Sequence, residues 1–143
     1  MTPIALTIAG SDSAGGAGIQ ADLKTFAARG VHGATAITAL TAQNTVGVDA
    51  VQLSPPGFVL AQMHAIARDL KVGGIKTGML GSLGIVEAVI EGLREFPGVP
   101  VVVDPVMVAQ SGDVLLEDAA IDAIRARLML LGRLVEKGIH GVH

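Results

Sequence analysis

Cysteine is absent from all 143 residues. That excludes disulfides, thiolate metal ligands and a cysteine nucleophile within this chain. Tryptophan and tyrosine are absent as well, and three phenylalanines bring the aromatic content to only 2%. The core must therefore be built from Ala, Val, Ile and Leu, a palette suited to helices packed on a parallel sheet. Neither charge sign dominates. The formal net charge is −3, and no basic stripe is present, so a nucleic-acid partner is not expected. No apolar run approaches the roughly 18 residues of a membrane span, and the start lacks a secretory pattern. No membrane partner is expected, and the cytoplasm is the default location. A Gly-Lys-Ser/Thr triplet is also missing, which excludes a Walker phosphate loop.

What is present is a composition able to fold. Half the residues are hydrophobic and 16% are charged, far from the balance of a disordered chain, and the length suits one domain with a core. The most informative stretch is Ile4 to Lys24, IALTIAGSDSAGGAGIQADLK. Its apolar run, Ile4 to Ala9, reads as a buried strand that stops at Gly10. Ser11, Asp12, Ser13 and the glycines Gly15, Gly16 and Gly18 follow, and an amphipathic helix opens at Ile19. Glycines let backbone N–H groups approach a ligand, and a helix start favours negative charge. A small-molecule site is therefore expected here, with the Asp22 carboxylate in the first helical turn facing it. A ligand-free strand-to-helix turn fits the same residues. Gly16 to Ala21 also fits the loose dinucleotide pattern G-x-G-x-x-A, but no acid lies between Asp22 and Asp49 to hold a ribose.

Strand-like and helical patterns alternate along the rest of the chain. Ile19, Leu23 and Phe26 share a helical face, and Gly30 ends that helix. Apolar runs at Ala34 to Ala42 and Val48 to Leu53 read as strands. Ser54-Pro55 predicts a helix start, with a side-chain cap and then proline. Val59, Met63, Ile66 and Leu70 recur at helical spacing. Val72 to Thr77 reads as a strand, Ser82 as the cap of a helix burying Ile85, Val86, Val89, Ile90 and Leu93, and Val101 to Val103 as a strand ending at Asp104. Glu117 and Asp118 open a last helix with Ile121, Ile124, Leu128 and Leu131 inside. This alternation predicts an α/β fold: a mostly parallel sheet with helices on both faces.

Ligands of such sheets sit beyond the carboxyl ends of the strands. Four polar or glycine-rich groups collect there: Gly10-Ser11-Asp12, Thr41 to Thr45, Lys76 to Leu80, and Asp104 to Met107 followed by Ser111-Gly112-Asp113. In order and spacing, the strings LTIAGSDSAGGAGIQADLKTF, ITALTAQNTVGV, IKTGML and VVDPVMVAQSGDVLL resemble the hydroxymethylpyrimidine/phosphomethylpyrimidine kinases of thiamine biosynthesis, a ribokinase-like family. The resemblance covers residues 4 to 128, the N-terminal part of such a kinase domain, and leaves residues 129 to 143 as a divergent tail.

The resemblance implies transfer of the ATP γ-phosphoryl group to a hydroxymethylpyrimidine, then to its monophosphate. ATP and Mg²⁺ are the implied cofactors, and a homo-oligomer, a dimer, is the expected assembly. By the family pattern Gln43 contacts the pyrimidine, Gly10 offers a backbone contact, Asp22 a polar group, and Met79 and Val106 apolar walls. Taken alone, Gln43 also reads as a capped strand end and Met79 as core filler. Asp104 matches a region near phosphate and Mg²⁺, and equally the cap of a turn. Lys76 has three readings: a partner for Asp104, a phosphate contact, or an ammonium reaching water.

The sequence departs from the family pattern in its later part. The Gly-Thr-Gly turn that forms an anion hole, and the catalytic Cys or Asp after it, have no counterpart in these 143 residues. No catalytic residue is therefore assigned, and no metal ligand set is defined. His140 and His143 are three apart, but Gly138 and Gly141 disfavour a helix there, and a frayed tail is expected. Two other readings stand beside the kinase: a pyridoxal/pyridoxine kinase-type enzyme, and a non-catalytic pyrimidine-binding or dimerising fragment.

Overall fold

A computed structural model describes residues 1–104, 118–128 and 134–135. The apolar run at the start forms β1 (Ile4–Ala9), and the chain then passes through the glycine-rich loop into α1 (Gly18–Ala28) and back through β2 (His32–Ile37). Next come β3 (Ala39–Gln43), β4 (Val48–Leu53), α2 (Pro56–Asp69), β5 (Gly74–Thr77), α3 (Leu83–Gly92), β6 (Val101–Val103), α4 (Asp118–Ala123) and the short β7 (Leu134–Val135). One π-helical turn, Ile124–Leu128, continues α4.

Five strands form a sheet in the order β2-β1-β5-β6-β7, and every neighbouring pair is parallel. Side chains on a strand alternate between faces. Leu6 and Ile8 of β1, Ala34 and Ala36 of β2, Ile75 of β5, and Val101 and Val103 of β6 point to one face. There they bury against Val59 and Met63 of α2, Ile85, Val86 and Val89 of α3, and Ala120 and Ala123 of α4. Gly33 and Thr7 belong to the opposite face, where α1 lies. A Cβ on Gly33 would touch Leu23 and Phe26, and Thr7 bonds to Asp22. Helices therefore cover both faces, as the alternating pattern predicts, with α1 on one side and α2, α3 and α4 on the other.

Two elements differ from the sequence reading. The run Ala34 to Ala42 is two strands rather than one. Thr38 is fully buried and its hydroxyl donates to the Met79 carbonyl at 2.6 Å. The chain leaves the main sheet at that point, and β3 pairs instead with β4 as an antiparallel two-stranded ribbon. Val48 to Leu53 is thus a strand, but of this ribbon and not of the parallel sheet. The second difference is at Ser54. It does not cap α2, whose N-cap is Pro55; its hydroxyl donates to the Ile37 carbonyl at 2.9 Å. Gln62 of α2 meets the same residue from both sides, accepting from the Ile37 N–H at 2.8 Å and donating to its carbonyl at 3.0 Å. A side-chain amide thereby takes the place of a further strand at this sheet edge. At α3 the expected cap is present: Ser82 accepts from the Ile85 N–H at 3.2 Å.

Candidate functional site

The carboxyl ends of β1, β2, β5 and β6 carry the glycine-rich loop, Thr38, the segment Gly78 to Gly81, and Asp104. The β3–β4 ribbon stands over this edge. Cross-strand partners share a face, so Ala39 and Leu53, and Thr41 and Val51, lie on one side of the ribbon. That side is docked to the edge. Thr41 donates to the Ser11 carbonyl at 2.7 Å, the Ser11 N–H donates to the Ala39 carbonyl at 2.8 Å, and Leu53 packs against Gly81. Val51 and Leu53 remain 44% and 39% exposed, which leaves an apolar surface on the face of the ribbon that carries Ala39 and Thr41.

The glycine-rich loop is organised differently from the expectation of open N–H groups. Asp12 is only 5% exposed. Its Oδ1 accepts from Ala14 N–H at 2.9 Å, and its Oδ2 accepts from Gly16 N–H at 2.9 Å and Ala17 N–H at 2.8 Å. Gln20 reaches back from α1 to accept from the Asp12 N–H at 2.8 Å and to donate to the Ser11 hydroxyl at 2.9 Å. The Ile19 N–H donates to the Gly10 carbonyl at 2.9 Å. The amides of Ser11, Asp12, Ala14, Gly15, Gly16 and Ala17 are therefore committed to the protein's own acceptors, with a carboxylate in the position that an anionic ligand would take. This loop does not fit a nucleotide phosphate. Its glycines serve close packing instead. Gly18 has φ +58°, and a Cβ there would run into the Gly10 carbonyl oxygen. A Cβ on Gly10 would lie 2.7 Å from the Met79 terminal methyl.

Asp22 and Lys76 meet. Thr7 and Lys76 are adjacent in the β1–β5 register, and Asp22 of α1 lies over them. Its Oδ2 accepts from the Thr7 hydroxyl at 2.6 Å and from Lys76 Nζ at 3.0 Å, and its Oδ1 accepts from Lys76 Nζ at 3.1 Å. The two side chains are 16% and 23% exposed. Lys76 thus pairs with Asp22 and not with Asp104, because parallel register brings it level with Thr7, beneath the helix. Asp104 lies half-buried at the end of β6, its N–H donating to the Thr77 carbonyl at 3.0 Å. Among the described residues no three His, Asp or Glu side chains gather as a metal cluster.

Gln43 ends β3 at an irregularity in the ribbon register. Its backbone is gripped by Ser13, whose hydroxyl accepts from the Gln43 N–H at 2.7 Å and donates to its carbonyl at 2.5 Å. The Gln43 side-chain amide makes no hydrogen bond with the described residues and is half-buried. It is a donor and acceptor pair held ready beside the edge. Met79 is 7% exposed and its terminal methyl lies against Gly10. The expected residues Gly10, Asp22, Gln43, Met79, Lys76 and Asp104 thus gather at one sheet edge, whereas Val106, His140 and His143 lie outside the described residues. Sequence reasoning named Asp12 and Ser13 in the glycine-rich turn without giving either a role of its own, and gave Gln20, Val51 and Leu53 no place in the site. Asp12 had a signal, an acid two residues before the first of several small residues, the pattern of a side chain that caps its own loop.

A parallel sheet with helices on both faces, a polar carboxyl edge and a ribbon over that edge defines a ribokinase-like fold. The chain belongs to the phosphomethylpyrimidine kinase family, whose model matches residues 12–136. It is 56% identical over 135 residues to the hydroxymethylpyrimidine/phosphomethylpyrimidine kinase of Rhizobium meliloti, covering 94% of this chain and 50% of that protein. The crystal structure of the phosphomethylpyrimidine kinase of Clostridium difficile superposes with a TM-score of 0.87 at 44% identity, covering 93% of this chain and 58% of the other. The pyridoxal kinase of Staphylococcus aureus, in complex with AMP-PCP and pyridoxal, gives 0.80 at 33% identity, over 94% of this chain and 48% of that one. The chain spans about half the length of these relatives.

Proposed function

We propose that this chain serves the ATP-dependent phosphorylation of 4-amino-5-hydroxymethyl-2-methylpyrimidine and of its monophosphate in thiamine biosynthesis, and that its own share is the acceptor site. The observation that carries this reading is the Gln43 amide, half-buried and without a partner among the described residues, on a ribbon docked to the edge that holds Gly10 and Met79. An amide pairs in both directions with the edge of an aminopyrimidine, and Met79, Val51 and Leu53 supply apolar surface for the ring. Val106 belongs to the same proposed set. Asp22, already bonded to Thr7 and Lys76, is a polar group held in fixed orientation at the substrate end.

ATP and Mg²⁺ are the cofactors of the proposed reaction. The ion takes most of its ligands from phosphate oxygens and water, with Asp104 as the candidate protein carboxylate and Lys76 as the candidate cation near phosphate. The glycine-rich loop has no part in holding the nucleotide. Residues 1 to 128 form the kinase part and 129 to 143 a divergent tail. The working assembly is a homodimer, supported by the exposed apolar side chains Leu40, Val46 and Phe58.

The test is a turnover assay of this chain with the pyrimidine and MgATP, reading phosphorylated product by mass, beside binding by calorimetry and size by light scattering. Gln43→Ala is expected to weaken pyrimidine binding about tenfold or more, because it removes a hydrogen-bonding donor and acceptor together. Pyridoxal is the control acceptor and is expected to bind more weakly. Unchanged binding in Gln43→Ala would overturn the pocket. A folded sample that binds the pyrimidine and yields no product would make the chain a binding module.

A further inference from the structure

The glycine-rich loop holds a buried carboxylate to which the proposed reaction gives no role. Burying a carboxylate is costly unless it is compensated, and Asp12, 5% exposed, is compensated by three backbone N–H groups at 2.8 to 2.9 Å. Charge-assisted bonds of this kind are about twice as strong as neutral ones. They fix the residues on both sides of Ser13: Asp12 itself, and Ala14 through its N–H. Ser13 is thereby held with its hydroxyl between the N–H and the carbonyl of Gln43. Gln43 needs that support. It sits where the ribbon register slips: Ala42 faces Ala50 and Gln43 faces Val48, so Asp49 is left over and the ladder is disrupted beside Gln43.

We propose that Asp12 is a positioning residue for Gln43, acting through Ser13. The carboxylate fixes the loop, the loop fixes the Ser13 hydroxyl, and the hydroxyl fixes the backbone from which the Gln43 amide projects. The inference rests on the pyrimidine reading for its ligand alone; the linkage from loop to ribbon is independent of it.

Asp12→Ala, Asp12→Asn and Ser13→Ala in the 143-residue chain test this with two readouts. One is amide hydrogen exchange at Gln43, with Ile4 to Ala9 as the internal control for folding. The other is affinity for the hydroxymethylpyrimidine by calorimetry. Asp12→Ala and Ser13→Ala are expected to speed Gln43 exchange about tenfold and to weaken binding by a similar factor, as loss of charge-assisted or paired hydrogen bonds does. Asp12→Asn keeps one acceptor oxygen of two and falls between. Added formate, a carboxylate small enough for the vacated space, is expected to restore slow exchange and binding in Asp12→Ala and to do nothing for Ser13→Ala. A general loss of stability shows no such rescue.

Slow Gln43 exchange in a folded Asp12→Ala, or formate that leaves its exchange fast, overturns the inference. Should Asp12→Ala fail to fold, Asp12→Asn decides: Gln43 exchange unchanged relative to Ile4 to Ala9 overturns it. A parent chain that ignores the pyrimidine but shows the exchange pattern removes the pyrimidine reading and supports the linkage.

Discussion

At the scale of the residue, the most constrained position is Gly18. Its φ of +58° lies in the left-handed region, and the space that a Cβ would need is filled by the Gly10 carbonyl oxygen, which already accepts from the Ile19 N–H. Gly18→Ala must therefore break that bond or move β1. It is expected to destabilise the chain by about 3 kcal/mol, measured as a lower midpoint in urea unfolding. Gly10 is different, because the atom in the way is the end of a flexible methionine. Gly10→Ala displaces Met79 and costs less stability, by roughly 1–2 kcal/mol in the same unfolding measurement. Both glycines were visible in the sequence as part of a strand-to-helix turn. Their reason was not, since it depends on which atoms of distant residues occupy the neighbouring space.

At the scale of the element, the Asp22–Lys76 pair joins α1 to β5 across 54 positions of sequence. Both side chains are mostly buried, so removing one partner leaves the other charge poorly compensated. Lys76→Met is expected to destabilise by about 2 kcal/mol. Asp22→Asn should cost less, since the amide oxygen still accepts from Thr7. The double variant should cost less than the sum of the two, and a double-mutant cycle by urea unfolding reads that difference. Strictly additive losses would show that the pair contributes nothing. Sequence patterning located Lys76 at a strand end and Asp22 at the start of a helix, and left three readings open for Lys76. Parallel register supplied a partner that was not among them, Asp22, by setting Lys76 level with Thr7, under α1.

At the scale of the whole molecule, stability is unevenly distributed. β1 and β5 are paired on both edges inside the parallel sheet, whereas β3 and β4 pair only with each other. A lone two-stranded ribbon is marginal in water, and β4 is exposed along most of its length. Apart from the Gln43 N–H, which Ser13 holds, hydrogen exchange should therefore be fastest in β3 and β4 and slowest in β1 and β5; equal protection would mean that the ribbon is held far more firmly than its few anchors allow. The sequence by itself determined the alternation of strands and helices, the Ser82 cap, the core faces of α2 and α3, and the family, because hydrophobic period and motif spacing are local properties. It also determined that polar groups would collect at the carboxyl edge. Only the tertiary structure decided that Ala34 to Ala42 divides at Thr38, that Val48 to Leu53 joins a separate ribbon, that Ser54 and Gln62 close the β2 edge, and that Asp12 fills its own loop. These turn on a hydrogen bond between residues far apart in sequence, on a hairpin that docks as a separate ribbon, or on the closing of a loop around a charge, and none of them leaves a periodic trace in the chain.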